Sequence, residues 1–239
     1  MSIFDQLVSW LREPNRWSFS HPDGLPYRVI EHLQVSVTGL VLAVLIAVPL
    51  AVVLAHHRKG AFLASAAVNI GRAIPSFGLI IIFWLAASRA NIDTTFWPLT
   101  LAMTALALPP LFTNSYTGVQ IVDPATVEAS RGVGFTEMQI LRRVEIPLAL
   151  PVILAGARIA FVQIVATVAI GAIVSDGGGL GRPIVDGFAQ GATGYGAVLA
   201  GGIAVAFLAL LSEALFTVLE RAAVPAGIRR MSATAIARR

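Results

Sequence analysis

Side chains able to do chemistry are sparse in this sequence, and their spacing argues against a catalytic centre. His56 and His57 stand beside Arg58 and Lys59. Adjacent positions do not share a helix face and no third ligand accompanies them, so the pair reads as interfacial rather than metal-binding. Asp176-Gly177-Gly178-Gly179-Leu180-Gly181 invites a phosphate-loop reading, but the Lys and the Ser or Thr that such a loop requires are missing. A tight turn or gate element is the better assignment. No paired carboxylates, metal-ligand cluster or nucleophile–base pair stands in the apolar runs. What remains is charge where charge is costly: Arg72 and Arg158 inside apolar stretches, and Glu213 at the end of another.

The richest chemistry lies in a polar stretch, Asp123 to Pro151 (DPATVEASRGVGFTEMQILRRVEIPLALP), between two segments apolar enough to span a bilayer. Two short helices joined by a glycine corner are predicted. The Asp123 carboxylate can cap the first helix, and Pro124 suits the first helical position, where no amide hydrogen is needed. Gly132 and Gly134 supply backbone freedom that a residue with a Cβ matches only at about 1–2 kcal/mol per left-handed position. Thr136 followed by Gln139 is a capping-box signature that restarts the helix. Met138, Leu141 and Val144 then share one side, with Gln139, Arg142 and Arg143 elsewhere. Pro147 and Pro151 are expected to end it.

Glu128-Ala129-Ser130, then Gly134, then Val144-Glu145-Ile146-Pro147, resembles the EAA loop in the membrane subunits of bacterial ABC importers, written EAA-x3-G-x9-I-x-L-P. The spacing agrees throughout, with Ser130 for the second Ala, Val144 for the Ile and Ile146 for the Leu. The resemblance implies a coupling helix that docks on a separate ATPase subunit. Its coupling residues would be Glu128, Ala129, Ser130, Gly132, Gly134, Arg142, Arg143, Ile146 and Pro147.

Mean hydropathy of +0.80 over 239 residues, with only 13% of them charged, excludes a soluble domain of ordinary composition. The chain reads as an all-α, polytopic membrane bundle of about five spans, expected near residues 35–55, 61–87, 99–122, 148–174 and 195–215. With no cysteine, neither a disulfide framework nor a thiolate metal site is available. Residues 1–34 lack the basic flank and long apolar core of a cleavable signal. Ile3, Phe4, Leu7, Val8 and Leu11 fall at helical spacing near Trp10 and Trp17, which fits an interfacial helix or one packed on the protein's own spans. A permease domain over 35–220, containing the loop 123–147, and a basic tail over 221–239 complete the division.

Proline and arginine mark the candidate path. Arg72 and Pro75 interrupt the second span, and a kink is expected near residues 71–75. Arg72 either faces a watery interior or pairs with carbonyls freed by Pro75. Pro109-Pro110 is expected to break the third span, ahead of the polar run Asn114-Ser115-Tyr116-Thr117. Backbone opened at membrane depth is tolerated where it lines a cavity, and a plain kink packed on neighbours accounts for it equally. The translocation candidates are therefore Arg72, Pro75, Ser76, Pro109, Asn114, Tyr116 and Arg158. Ala155-Gly156-Ala157 and Gly194, Gly196, Gly201 and Gly202 suit close helix approach.

Three segments resemble permeases for glycine betaine, choline and related osmoprotectants. Arg72-Ala73-Ile74-Pro75-Ser76 matches R-T-I-P-S, Ala155 to Ala160 matches A-G-I-R-T-A with Ile159 in place of Thr, and the glycines after Asp176 match G-A-G-G-L-G. The resemblance implies a type I, methionine-permease-like fold, with Asp176, Gly178, Gly179 and Gly181 as an outer gate. It implies no cofactor in this chain, with ATP and Mg bound by a cytoplasmic ATPase dimer. A second permease chain, identical or homologous, an extracytoplasmic substrate-binding protein and membrane lipid would be the other partners. The setting would be the bacterial inner membrane. A cytoplasmic loop and five spans place the amino terminus outside and the carboxyl terminus inside. Arg58, Lys59, Arg131, Arg142, Arg143 and tail arginines including Arg229 and Arg230 then lie inside, against Arg12, Arg16, Arg28, Arg89 and Arg182 outside. The basic tail suits an anionic leaflet rather than nucleic acid. The rivals are an amino-acid permease of the same type and an ion-coupled secondary transporter. The latter needs an intramembrane carboxylate relay, for which Glu213 is poorly placed.

Overall fold

The computed structural model describes residues 2–224, without the side chains of Ile70 and Arg72. The Arg72 side chain and the tail arginines from Arg229 to Arg239 thus lie outside the described residues. Among the described residues the regular elements are helices: α1 (Ile3–Leu11), α2 (Leu25–His56), α3 (Ala61–Ala73), α4 (Ser76–Arg89), α5 (Trp97–Gln120), α6 (Pro124–Gly132), α7 (Glu137–Ile140), α8 (Ile146–Val168), α9 (Arg182–Ala189) and α10 (Tyr195–Ala223), with short 3₁₀ and π turns between them. By length and composition, α2, the run Glu137–Ile173 and α10 can each cross a membrane. At 1.5 Å per residue the 32 residues of α2 extend about 48 Å, beyond the ~30 Å hydrocarbon core. It therefore begins well before the expected span, at a polar end that carries Arg28, Glu31 and His32.

Proline behaves differently at each of its sites. Around Pro75 the structure has a full break instead of a kink: α3 stops at Ala73, and Pro75, extended at ψ 118°, precedes α4. Pro109 and Pro110, by contrast, do not break α5, which runs unbroken through both. The Pro109 ring lies where a Cβ on Gly71 of α3 would approach to 2.7 Å, so a glycine opposite makes room for it. The helix restarting at Thr136 likewise does not end at Pro147. It passes through a π turn at Leu141–Glu145 into α8, which contains Pro147 and Pro151. A proline ring clashes with the carbonyl four residues earlier, here Arg143, and the π turn widens the backbone at that place.

α5 falls outside the group of strongly apolar spans, yet it is the most thoroughly packed. Leu99, Thr100, Ala102, Met103, Leu111, Ser115 and Val119 are all buried. A helix shielded by protein does not need a lipid-facing surface, which frees it to carry threonine, serine and proline.

The chain divides into two compact units. Of the described residues, 2–42, 74–107 and 161–212 form the first, and 43–73, 108–160 and 213–224 the second. In the first, α1 settles the choice left open above. Gly196 of α10 approaches the Gln6 backbone so closely that a Cβ would stand 2.4 Å from its carbonyl oxygen, while Ile3, Phe4 and Val8 remain exposed. One edge is packed and one apolar face is free. In the second unit Val122, Val127 and Ile140 form a small core, covered by Phe135 and Leu148.

Candidate functional site

The Asp123–Pro147 stretch folds as an exposed helix–corner–helix. The Asp123 carboxylate accepts from the Ala125 amide at 2.9 Å and Pro124 opens α6. The corner turns at Gly134, whose φ is +92°, whereas Gly132 is the last residue of α6 and needs no left-handed backbone. Thr136 and Gln139 complete a reciprocal capping box. Met138 does not join the apolar side: it is exposed, and Ile140 and Leu141 take the buried positions. On α6 only Val127 is buried. Ala125, Thr126, Ala129, Ser130 and Val133 line an open depression of about 500 Å³ beside the exposed Glu128. Arg142 and Arg143 are exposed, while Ile146 and Pro147 are half-buried.

Charged side chains tie this surface together. Arg131 donates to Glu128 at 2.6 Å and through two nitrogens to Glu137, at 2.8 and 3.0 Å. The hydrogen bonds it donates to Glu137, and then the charge of Glu137, hold the Arg131 guanidinium above its ordinary value. Glu137 lies 3.4 Å from Nε2 of His56, whose Nδ1 meets the Glu145 carboxylate at 2.5 Å. His56 and Glu145 are almost wholly buried, at 7% and 2% exposure. A buried carboxylate is stable only with a partner, and His56 supplies it. Their pairing is not legible in the sequence, since 89 residues separate them. His56 is thus a structural tie and not a plain interfacial residue.

The glycine turn after Asp176 lies in the first unit. Gly178 and Gly179 have φ of +93° and +52°. A Cβ on Gly178 would stand 2.3 Å from the Ala172 nitrogen, one on Gly179 2.5 Å from the His32 Cβ, and one on Gly181 1.9 Å from the Ala169 carbonyl. The fully buried His32 pins this turn. Its Nδ1 accepts from the Leu180 amide at 3.3 Å, which leaves Nε2 to donate to the Val165 carbonyl at 2.9 Å. Nothing in the sequence marks His32, because both partners are distant along the chain. Asp176 itself is exposed, with its carboxylate 3.5 Å from Arg182.

The remaining path candidates are divided between the two units, Pro75 and Ser76 in the first and Pro109, Asn114, Tyr116 and Arg158 in the second. Pro75 is exposed at the α3–α4 break and Ser76 half-buried. Tyr116 is buried and stacked on Phe112, with ring centres 6.2 Å apart, so in the single chain it faces packing. Asn114 donates to the Pro110 carbonyl at 2.8 Å, and Gly156 admits α8 against it. Arg158 pairs with Glu213 at 3.3 Å. α10 continues to Ala223, so Glu213 lies inside the helix, and the arginine compensates its charge.

Residues 39–224 match the family described as binding-protein-dependent transport system inner membrane component. The choline transport system permease protein OpuBB of Bacillus subtilis (strain 168) is 32% identical over 207 residues, covering 87% of this chain and 92% of that protein. The glycine betaine/carnitine/choline transport system permease protein OpuCD of the same organism is 34% identical over 195 residues, covering 81% and 82%. An inward-facing structure of the MetNI methionine ABC transporter superposes with a TM-score of 0.72 at 25% identity, over 89% of this chain and 99% of that one. ATP in such a transporter is handled by a separate subunit. With its capped coupling segment and all-helical span architecture, the chain belongs to the inner membrane components of binding-protein-dependent transport systems, as a non-catalytic permease subunit.

Proposed function

We propose that this permease moves a betaine-like osmoprotectant into the bacterial cytoplasm, driven by an ATPase dimer that docks on α6. The observation that carries the docking is the α6 surface. It presents Ala125, Ala129, Ser130 and Glu128 to solvent around an open depression, with only Val127 committed to the core. The substrate class follows from the relatives, whose names specify choline, glycine betaine and carnitine. A second permease chain completes the pathway, and an extracytoplasmic binding protein delivers the solute. Asp176 and the glycines through Gly181 serve as the outer gate, and Arg72, Pro75, Ser76, Pro109, Asn114, Tyr116 and Arg158 border the route.

The amino terminus lies outside and the carboxyl terminus inside. Supporting this, Arg12, Arg16, Arg28, Arg89 and Arg182 all belong to the first unit, and Arg58, Lys59, Arg131, Arg142 and Arg143 to the second. The second set includes the three arginines of the Asp123–Pro147 loop, in keeping with the excess of basic residues on cytoplasmic loops.

Reconstitution in liposomes tests the reading. ATPase activity stimulated by liganded binding protein, with accumulation of radiolabelled glycine betaine, is the expected result. Stimulation by an amino acid or a sugar, with no response to any betaine or choline, overturns the substrate class.

A further inference from the structure

Helical spacing divides α1 lengthwise into three strips. Gln6, Leu7, Trp10 and Leu11 are half-buried and make up the packed strip. Ser2, Asp5 and Ser9 form a polar one, on which the capping box of Ser2 and Asp5 closes the first turn. Phe4 and Val8 form the third, apolar and free, at 74% and 48% exposure. Arg12 follows Val8 by four residues and stands, exposed, at the end of that strip. Just beyond it, Trp17 donates its indole N–H to the Leu11 carbonyl at 2.7 Å, so its exposed ring needs no polar partner.

The seat of α1 says what covers the free strip. Gly196 is the second residue of α10, and the 2.4 Å that a Cβ there would leave to the Gln6 carbonyl oxygen puts α1 directly against the first turn of that helix. The 29 residues of α10 extend about 43 Å, which matches the ~40–45 Å of a bilayer with its headgroups. No charged side chain stands from Tyr195 to Ser212, about 27 Å of that length. The first turn of α10 therefore lies where the hydrocarbon core meets the headgroups, and a helix seated there is not in bulk water. An apolar strip flanked by a polar one, with arginine at its end, suits this layer: Phe4 and Val8 reach the acyl boundary, and the Arg12 stem can lie along it with its guanidinium among phosphates. Nine residues are too few for a stable helix alone, and the seat on α10 supplies the order.

We propose that α1 is a membrane-surface anchor, with its Phe4–Val8 strip inserted in the lipid headgroup boundary at the start of α10, where it holds the first turn of α10 at a fixed depth. The anchor does not depend on which solute is carried.

The chain contains no cysteine, so single nitroxide labels can be placed at Phe4, Val8 and Ser9 one at a time. All three positions are exposed, and the label displaces no packed side chain. The permease–ATPase complex, assembled with a cysteine-free ATPase subunit, is placed in nanodiscs of phosphatidylethanolamine and phosphatidylglycerol. Power saturation then compares collisions with oxygen, which concentrates in lipid, and with a water-soluble nickel chelate. The ratio of oxygen to nickel collisions at Phe4 and Val8 should exceed that at Ser9 several-fold. Equal ratios at the three positions would put the strip in water and overturn the anchor. Exclusion of both reagents from Phe4 and Val8 would overturn it equally, because protein, such as a second permease chain, would then cover the strip.

Discussion

The coupling surface and the glycine turn both depend on glycine and on a histidine, but they are held in opposite ways. At Gly134 the backbone is left-handed and a Cβ would meet nothing within 4 Å. At Gly178, Gly179 and Gly181 it would strike neighbouring backbone or side-chain atoms at 1.9–2.5 Å. The first glycine supplies conformation only, while the others also supply space. The coupling surface is secured instead by a line of charged side chains, Glu128–Arg131–Glu137–His56–Glu145. One region is welded through its backbone, and the other is strung on side-chain ion pairs, exposed from Glu128 to Glu137 and buried at His56 and Glu145. The coupling role proposed for this surface suits the second arrangement, since interfaces that must move are built from adjustable contacts.

Four single substitutions and one double variant break or sharpen this contrast. Gly181→Val has the largest expected effect, on the order of 4 kcal/mol or more, because the added atoms fall on the Ala169 carbonyl with backbone on both sides. Thermal unfolding in detergent should show a collapsed transition or no folded species. A near-normal melting temperature would mean that the turn is loose and not welded.

Next comes the buried pair. His56→Ala leaves Glu145 without its partner and should cost about 3 kcal/mol, whereas His56→Leu combined with Glu145→Met should recover most of that loss. A double-mutant cycle on unfolding midpoints reads the coupling. If the single and double variants lose equal stability, the pair is not the tie described here.

Gly134→Val is milder, at about 1–2 kcal/mol for a β-branched residue in a left-handed turn, with no steric clash to add to it. The protein should insert and fold, yet the ratio of transported solute to hydrolysed ATP should fall. Glu128→Ala should behave alike with still less change in stability, because its ion pair with Arg131 is exposed. Normal coupling in both variants would detach α6 from the ATPase.

Local chemistry was legible where the partners are near in sequence. Asp123 with Pro124, Thr136 with Gln139, and the left-handed Gly134 each depend on neighbours within a few residues, and the structure has them as read. Gly132 and Met138 were misplaced because a helix can end one residue later, and its buried face rotate, according to what it packs on. Pro109, Pro110 and Pro147 were read as breaks. Whether a proline breaks a helix depends on the room opposite its ring and on the turn before it, and neither is local.

Composition and periodicity by themselves determined that this is a helical membrane protein with an exposed polar helix–corner–helix between two apolar runs, and the spaced Glu128-to-Pro147 pattern added the resemblance to importer permeases. Those properties follow from hydrophobic length and from contacts a few residues apart. Only the tertiary structure decided which charges are compensated: His56 with Glu145, Arg158 with Glu213, and His32 between Leu180 and Val165. These groups lie tens of residues or more apart, and a charge removed from water takes whatever partner the packed helices bring to it.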